Sequence, residues 1–261
     1  MVKNYFMYQD AKAGVVTENG IIEAHARTKT YAAATLAAYI AHLRLLGAYW
    51  GFGAMMQFRL ADQTADGGLR GGPFKRQTST LGGPDDLVVV PYMSSWNIGQ
   101  FHLLGALSLY APTGSYDAQR IIDGGTNRWA VEPDFGFTWM SDESGRELSL
   151  FTGYTINSEN TASHYQSGEQ YHADFAAAQH LLEGVILALA GYALQQTTAD
   201  SRSVAQLGPF KRRVLALGPL VGKTVAIAGR PITFTVKYDF EFATRNRSSG
   251  SELWLVAAYQ F

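Results

Sequence analysis

The chain has 261 residues, a formal net charge of −1, 13% aromatic residues, 27 glycines and no cysteine. Near-neutral charge without a basic, aromatic-interleaved stripe excludes a nucleic-acid surface, and the lack of cysteine excludes disulfides and thiolate metal sites. No run reaches the roughly 18 apolar residues of a membrane-spanning helix; the nearest, Tyr31 to Ala41, is followed by His42 and Arg44.

The opening MVKNYF has neither an apolar core nor a small-residue cleavage site, so it is not a signal peptide. An outer-membrane reading therefore expects the numbering to start at a mature or recombinant end. Val2 to Gln9 alternates, with Phe6 and Tyr8 on one face, and reads as the first strand. Asp10 to Gly20 reads as a loop. Ile21 to Ile40 is alanine-rich, which favours helix. Its odd positions nonetheless include Glu23, His25, Arg27 and Lys29 while its even positions are apolar, a strand pattern. Leu45 to Arg59 alternates again, and Ala61 to Pro84 reads as a long loop.

Leu87 to Trp96 and Phe101 to Tyr110 form a pair joined at Asn97 to Gln100, and Ala111 to Asn127 is a second long loop. The clearest strand follows. RWAVEPDFGFTWM interleaves Trp129, Val131, Pro133, Phe135, Phe137 and Trp139 with Arg128, Ala130, Glu132, Asp134, Gly136 and Thr138. A period of two sends these sets to opposite faces. The two tryptophans are ten residues apart, roughly 33 Å of strand. Tilted, this spans the roughly 25 Å apolar band of an outer-membrane barrel with its two aromatic girdles.

Its partner runs from Glu147 to Ile156, and Ser158 to Gly168 is polar. Tyr171 to Ala178 alternates, and a short link at His180 to Glu183 leads into Val185 to Gln195. Thr197 to Gln206 is polar, and Phe210 to Val225 is a strand interrupted by Pro219. Ile232 to Phe242 alternates as cleanly as the first example, and the chain ends on Leu253, Leu255, Ala257, Tyr259 and Phe261. Pro91, Pro133 and Pro219 fit poorly inside strands, since each removes a ladder donor.

The expected fold is all-β: residues 1–261 as a single closed antiparallel transmembrane β-barrel of about 12 strands, with long and short connections alternating and both termini periplasmic. The expected lipid-facing belt is Trp129, Phe135, Phe137, Trp139, Phe234, Tyr238, Phe240, Tyr259 and Phe261. The expected pore lining is Arg59, Arg128, Glu132, Asp134, Glu147, His172, Asp174, Arg212, Lys237, Asp239 and Glu241. Charges in a dry interior would need pairing, whereas a wet lumen uses them for selectivity.

Gly218 to Thr224 is no phosphate loop, because three residues rather than four separate its glycines. His172 and His180 lie roughly 26 Å apart along a strand, so no metal and no cofactor is expected. The functional expectation is passive passage of small molecules through a charge-lined lumen. The alternatives are a hydrophobic-compound channel with lateral exit, a membrane-embedded enzyme such as a phospholipase, and a soluble β-sandwich.

YAPTGSYD (Tyr110–Asp117), NRWAVEPDFGFTWMSDESGRELSLFTGYTINSEN (Asn127–Asn160) and HYQSGEQYHADFAAAQH (His164–His180) resemble the outer-membrane proteins of the "MetA-pathway of phenol degradation" family, also called SphA-like transporters. The resemblance covers about Asp85 to Phe261. It implies a monomeric outer-membrane barrel that passes small molecules, aromatic or other organic compounds, and it transfers no catalytic residues. It also makes the aromatic terminus Phe261 a signal for the outer-membrane assembly machinery.

Overall fold

The alternation along the chain becomes one continuous wall. A computed structural model of the protein describes residues 1–16, 22–69, 72, 74–120, 123–202 and 211–259. Its strands are β1 (Val2–Val16), β2 (Ile22–Leu45), β3 (Ala48–Leu69), β4 (Phe74–Pro84), β5 (Leu87–Ile98), β6 (Phe101–Ala111), β7 (Ala130–Met140), β8 (Arg146–Asn157), β9 (Tyr165–Gln166), β10 (Gln170–His180), β11 (Val185–Gln196), β12 (Ser201–Arg202), β13 (Arg213–Ile227), β14 (Arg230–Arg245) and β15 (Ser249–Tyr259). The short β9 and β12 pair only with each other.

The other thirteen strands form one antiparallel sheet. β4 and β5 pair with successive stretches of the same strand, β3, so they are two parts of one stave and the wall has twelve. β1 pairs with β15 on one side and β2 on the other, which closes the cylinder. Closure leaves no free backbone edge at the level of the apolar band. Among the described residues no helix is long and apolar enough to cross a membrane.

The connections at one end are short. Three of them use a left-handed pair, Leu46–Gly47, Glu183–Gly184 and Ala228–Gly229, with φ between 51° and 76–78° in the first and last. Two consecutive positive φ values match the twist of the flanking strands. The longer connections lie at the opposite end. Val2 pairs with Tyr259, so both ends of the described chain lie at the short-turn end.

Apolar side chains coat the outside. On β14, Phe234, Val236, Tyr238, Phe240 and Phe242 are exposed, while Asp239 between them is fully buried. Each expected misfit has a local solution. At Pro91 the pairing of β5 with β6 shifts register between Val89 and Tyr92, a bulge that absorbs the missing donor. At Pro133 and Pro219 the register holds, but pairing passes directly from Val131 to Asp134 and from Leu217 to Leu220 on one side.

Several sequence expectations need correction. Asp10 to Val16 is strand, not loop, because it pairs with β2 as far as Glu23. The stretch 61–84 is mostly the arms of a hairpin, β3 and β4, whose polar alternation satisfies a sheet standing in water. Ile22–Leu45 is strand throughout, which rules out the helix alternative. Along it, however, the charged residues His25, Arg27 and Lys29 are exposed, and the Arg27 Nε donates to Asp10 at 2.9 Å on the outer surface. Trp129 and Arg212 fall just outside β7 and β13. Phe261 lies outside the described residues, as do 203–206 of the polar segment and Phe210.

The wall is uneven in height. β2 has 24 residues and β7 has 11, roughly 79 Å against roughly 36 Å at 3.3 Å per residue. β2, β3 and β4 therefore rise as a ridge on one side of the long-loop end.

Candidate functional site

Three neighbouring strands organise the lumen. Gly153 on β8 stands opposite Asp134 on β7 and opposite His172 on β10. Without a side chain at Gly153, groups from β7 and β10 reach each other across the intervening strand. His172 Nε2 lies 3.3 Å from Glu132 Oε1, and His172 Nδ1 lies 3.6 Å from Asp174 Oδ2. Tyr110 donates to Glu132 Oε1 at 2.7 Å, and Thr155 donates to Oε2. Ser108 donates to Asp134 Oδ2 at 2.6 Å, while Asp134 Oδ1 is buried without a hydrogen-bond partner.

This layer sits between two spaces. The upper one, about 250 Å³, is lined on the same three strands by Ala130, Thr155, Asn157 and Gln170. The lower one, about 490 Å³, is lined by Gly136, Thr138, Ser149, Phe151, Asp174 and Ala176. Stepping by two along β7 passes from Ala130 through Glu132 and Asp134 to Gly136, so the charged layer is the wall between the two cavities.

Loop 112–129 is pinned over the upper cavity. Asp86, at the junction of β4 and β5, accepts from Gly114 N (3.0 Å), Thr126 N (2.7 Å) and Thr126 Oγ1 (2.6 Å). Gly114 and Gly125 touch backbone to backbone, and a Cβ on Gly114 would lie 2.6 Å from Gly125 Cα. Arg59 donates to the neighbouring Asp85 at 2.8 Å, and Arg128 Nε donates to Asn157 at 3.0 Å. The next two long connections interlock through Asp200, which accepts from Gly168 N at 2.9 Å and Gln196 Nε2 at 2.6 Å. Burial alone would push the Asp200 carboxyl up. The Gly168 N–H, the Tyr165 hydroxyl and the Gln196 amide outweigh burial and hold it below the ordinary aspartate value.

A second charged group occupies β14 and β15. Lys237 Nζ lies 2.8 Å from Asp239 Oδ2 and sits over the Tyr192 and Trp254 rings at 5.9 and 5.8 Å. Arg247 donates to Glu241 Oε1 at 2.7 Å, and Tyr192 donates to the same oxygen at 2.6 Å. Glu252 accepts from Gln9 at 2.7 Å and Trp254 at 3.0 Å. Glu147 lies nearer the short turns, paired with His180 at 2.6 Å.

Of the residues expected in the lining, the structure thus joins Glu132, Asp134, His172 and Asp174 in one group and Lys237, Asp239 and Glu241 in another. Arg59 and Arg128 line the upper cavity, and Arg212 is exposed at the long-loop end. Of the expected belt, Trp129, Phe135, Phe234, Tyr238 and Phe240 are exposed; Phe137, Trp139 and Tyr259 are partly covered. Sequence reasoning missed Asp85, Asp86, Tyr192, Arg247 and Glu252. Glu252 shares the parity of Trp254 and was legible in principle, whereas Asp86 sits at a strand junction that no periodicity marks.

The fold has solved relatives. The "COG4313 outer membrane channel from Pseudomonas putida F1" aligns over 100% of this chain and 95% of its own, with TM-score 0.70 and 13% identity. The NanC porin aligns over 100% of both chains, with TM-score 0.51 and 10% identity. The transport unit of the autotransporter AIDA-I from Escherichia coli aligns over 100% of this chain and 90% of its own, with TM-score 0.52 and 11% identity. At such identities these likenesses establish the barrel fold. No curated protein matches the chain. The family model described as "Putative MetA-pathway of phenol degradation" matches residues 10–256, and the chain belongs to that family.

Proposed function

We propose that this protein is an outer-membrane channel for small molecules, whose path runs from the upper cavity past the Glu132–Asp134–His172 layer into the lower one. The observation that carries the reading is the order of cavity, charged layer and cavity along β7, β8 and β10, inside a closed cylinder with apolar side chains on its outside. Charged side chains concentrated along a narrow path set selectivity. The solved relative titled an outer membrane channel supports the same reading.

The lower cavity mixes Leu104, Phe151 and Leu220 with Asp174 and Lys237. It suits small organic solutes that carry both an apolar and a polar part. In this reading the short turns and both termini face the periplasm, the barrel acts as a monomer without catalysis, and Phe261 engages the assembly machinery. The bilayer meets Trp129, Phe135, Phe137, Trp139, Phe234, Tyr238, Phe240 and Tyr259. Arg59, Arg128, Glu147, Arg212, Lys237, Asp239 and Glu241 join the central layer in lining the path.

Purified barrel in a planar bilayer should give discrete conductance steps, and in liposomes it should accelerate swelling in small solutes. Folded barrel that does neither would defeat the proposal.

A further inference from the structure

The Glu132–Asp134–His172 group has the chemistry of a cation site. One oxygen from each carboxylate and one imidazole nitrogen lie within 4.8 Å of one another. Two carboxylates and a neutral imidazole are a donor set for divalent first-row ions such as Zn²⁺, at about 2.0–2.2 Å per ligand.

A second observation is independent of that proximity. Asp134 is 8% exposed, and its Oδ1 is buried with no hydrogen-bond partner. A buried carboxylate oxygen left unpaired is costly, and an unsatisfied polar atom of this kind calls for an explanation. Its direction supplies one. A Cβ built on Gly153 would lie 2.7 Å from Asp134 Oδ1, 2.5 Å from His172 Nε2 and 3.0 Å from Glu132 Cγ. The three side chains therefore converge on one small space, kept open by a glycine.

The carboxylates are held in place. Ser108 donates to Asp134 Oδ2, and Tyr110 and Thr155 donate to Glu132 Oε1 and Oε2. Such outer contacts orient ligands toward a metal. The His172 side chain is 23% exposed, which leaves one side of the group open for a water or a passing solute, as in three-ligand zinc sites.

We propose that Glu132, Asp134 and His172 bind one divalent first-row ion, Zn²⁺ or a close relative, in the wall between the two cavities. The ion takes the place of the hydrogen that His172 shares with Glu132 and engages Asp134 Oδ1. The proposal does not rest on the channel reading, since a barrel that conducted nothing would still bind the ion.

The test is calorimetric titration of the full-length barrel, folded in detergent, with zinc chloride at neutral pH and magnesium chloride as control. Folding of each variant is checked by its heat-dependent mobility on gels. The expected result is one tight equivalent of Zn²⁺ and none of Mg²⁺. D134N should weaken binding at least tenfold, and H172A should remove it. G153A keeps all three donors but fills the space between them, and should also weaken binding at least tenfold. Absence of Zn²⁺ uptake by the native chain would overturn the proposal. So would unchanged affinity and stoichiometry in whichever of the three variants fold.

Discussion

Asp134 and His172 stand on strands that are not neighbours, yet Asp134 Oδ1 and His172 Nε2 both come within 2.7 Å of the point that a Gly153 side chain would occupy. β8 lies between them and contributes only backbone there. Gly153→Ala forces both side-chain ends to move, and overpacking of this kind costs about 1–3 kcal/mol. The expected outcome is a lower urea midpoint for unfolding from lipid vesicles. An unaltered midpoint would mean the layer yields freely.

Asp86 holds loop 112–129 with three hydrogen bonds, from Gly114 and Thr126. Bonds to a charged acceptor contribute about 1.5–3 kcal/mol each, so Asp86→Ala should release the loop. Trypsin should then cut after Arg120 faster than in the native barrel. Single-channel conductance should rise, because Gly124 and Thr126 no longer roof the upper cavity.

Lys237 is the cation paired with the fully buried Asp239. Lys237→Met leaves that carboxylate uncompensated, a change that costs about 3–5 kcal/mol in a dry site. Folded variant should favour cations more strongly, read as a shifted reversal potential in a KCl gradient. Asp239→Asn should move the reversal potential the other way. If neither variant moves it, the pair lies off the ion path.

The Asp200 carboxyl is depressed in the folded protein, so its stabilising contribution follows the acid rule. The contribution is complete above the ordinary aspartate value of about 4 and disappears as pH falls through the lower folded value. Protection of the Gly168 amide against hydrogen exchange should therefore hold at neutral pH and drop on strong acidification. Asp200→Asn should lower that protection at neutral pH and remove its dependence on acid.

The strands were legible because one face of each had to be apolar: Phe234, Val236, Tyr238 and Phe240 announce β14 without help from tertiary structure. The edges of that logic are equally physical. Above the apolar band both faces of a strand meet water, so Asp62, Thr64 and Asp66 on β3 read as loop although they pair with β4. Parity placed Glu132, Asp134 and His172 on the same side of the wall. It carried no register between strands, and register is what sets His172 opposite Gly153. Distances along one strand made His172 and His180 a poor metal pair, and the nearer partners were two strands away.

Joining the first stave to the last protects backbone only at heights that every stave reaches. Above that level, among the described residues, two flanks of the ridge have no strand partner: β1 beyond Lys12, which has lost its β15 neighbour, and the far side of β4, where the Ser115 N–H meets the Pro84 carbonyl. Each is a row of amides and carbonyls facing water, the kind of margin onto which another extended segment can add. Lys75 stands exposed on β4, Arg76 beside it is paired with Asp66 of β3, and Pro84 closes the flank, so a charge and a proline meet an incoming strand. The rim that makes this mouth tall on one side therefore offers a neighbouring extended segment a charged and interrupted margin rather than a clean edge.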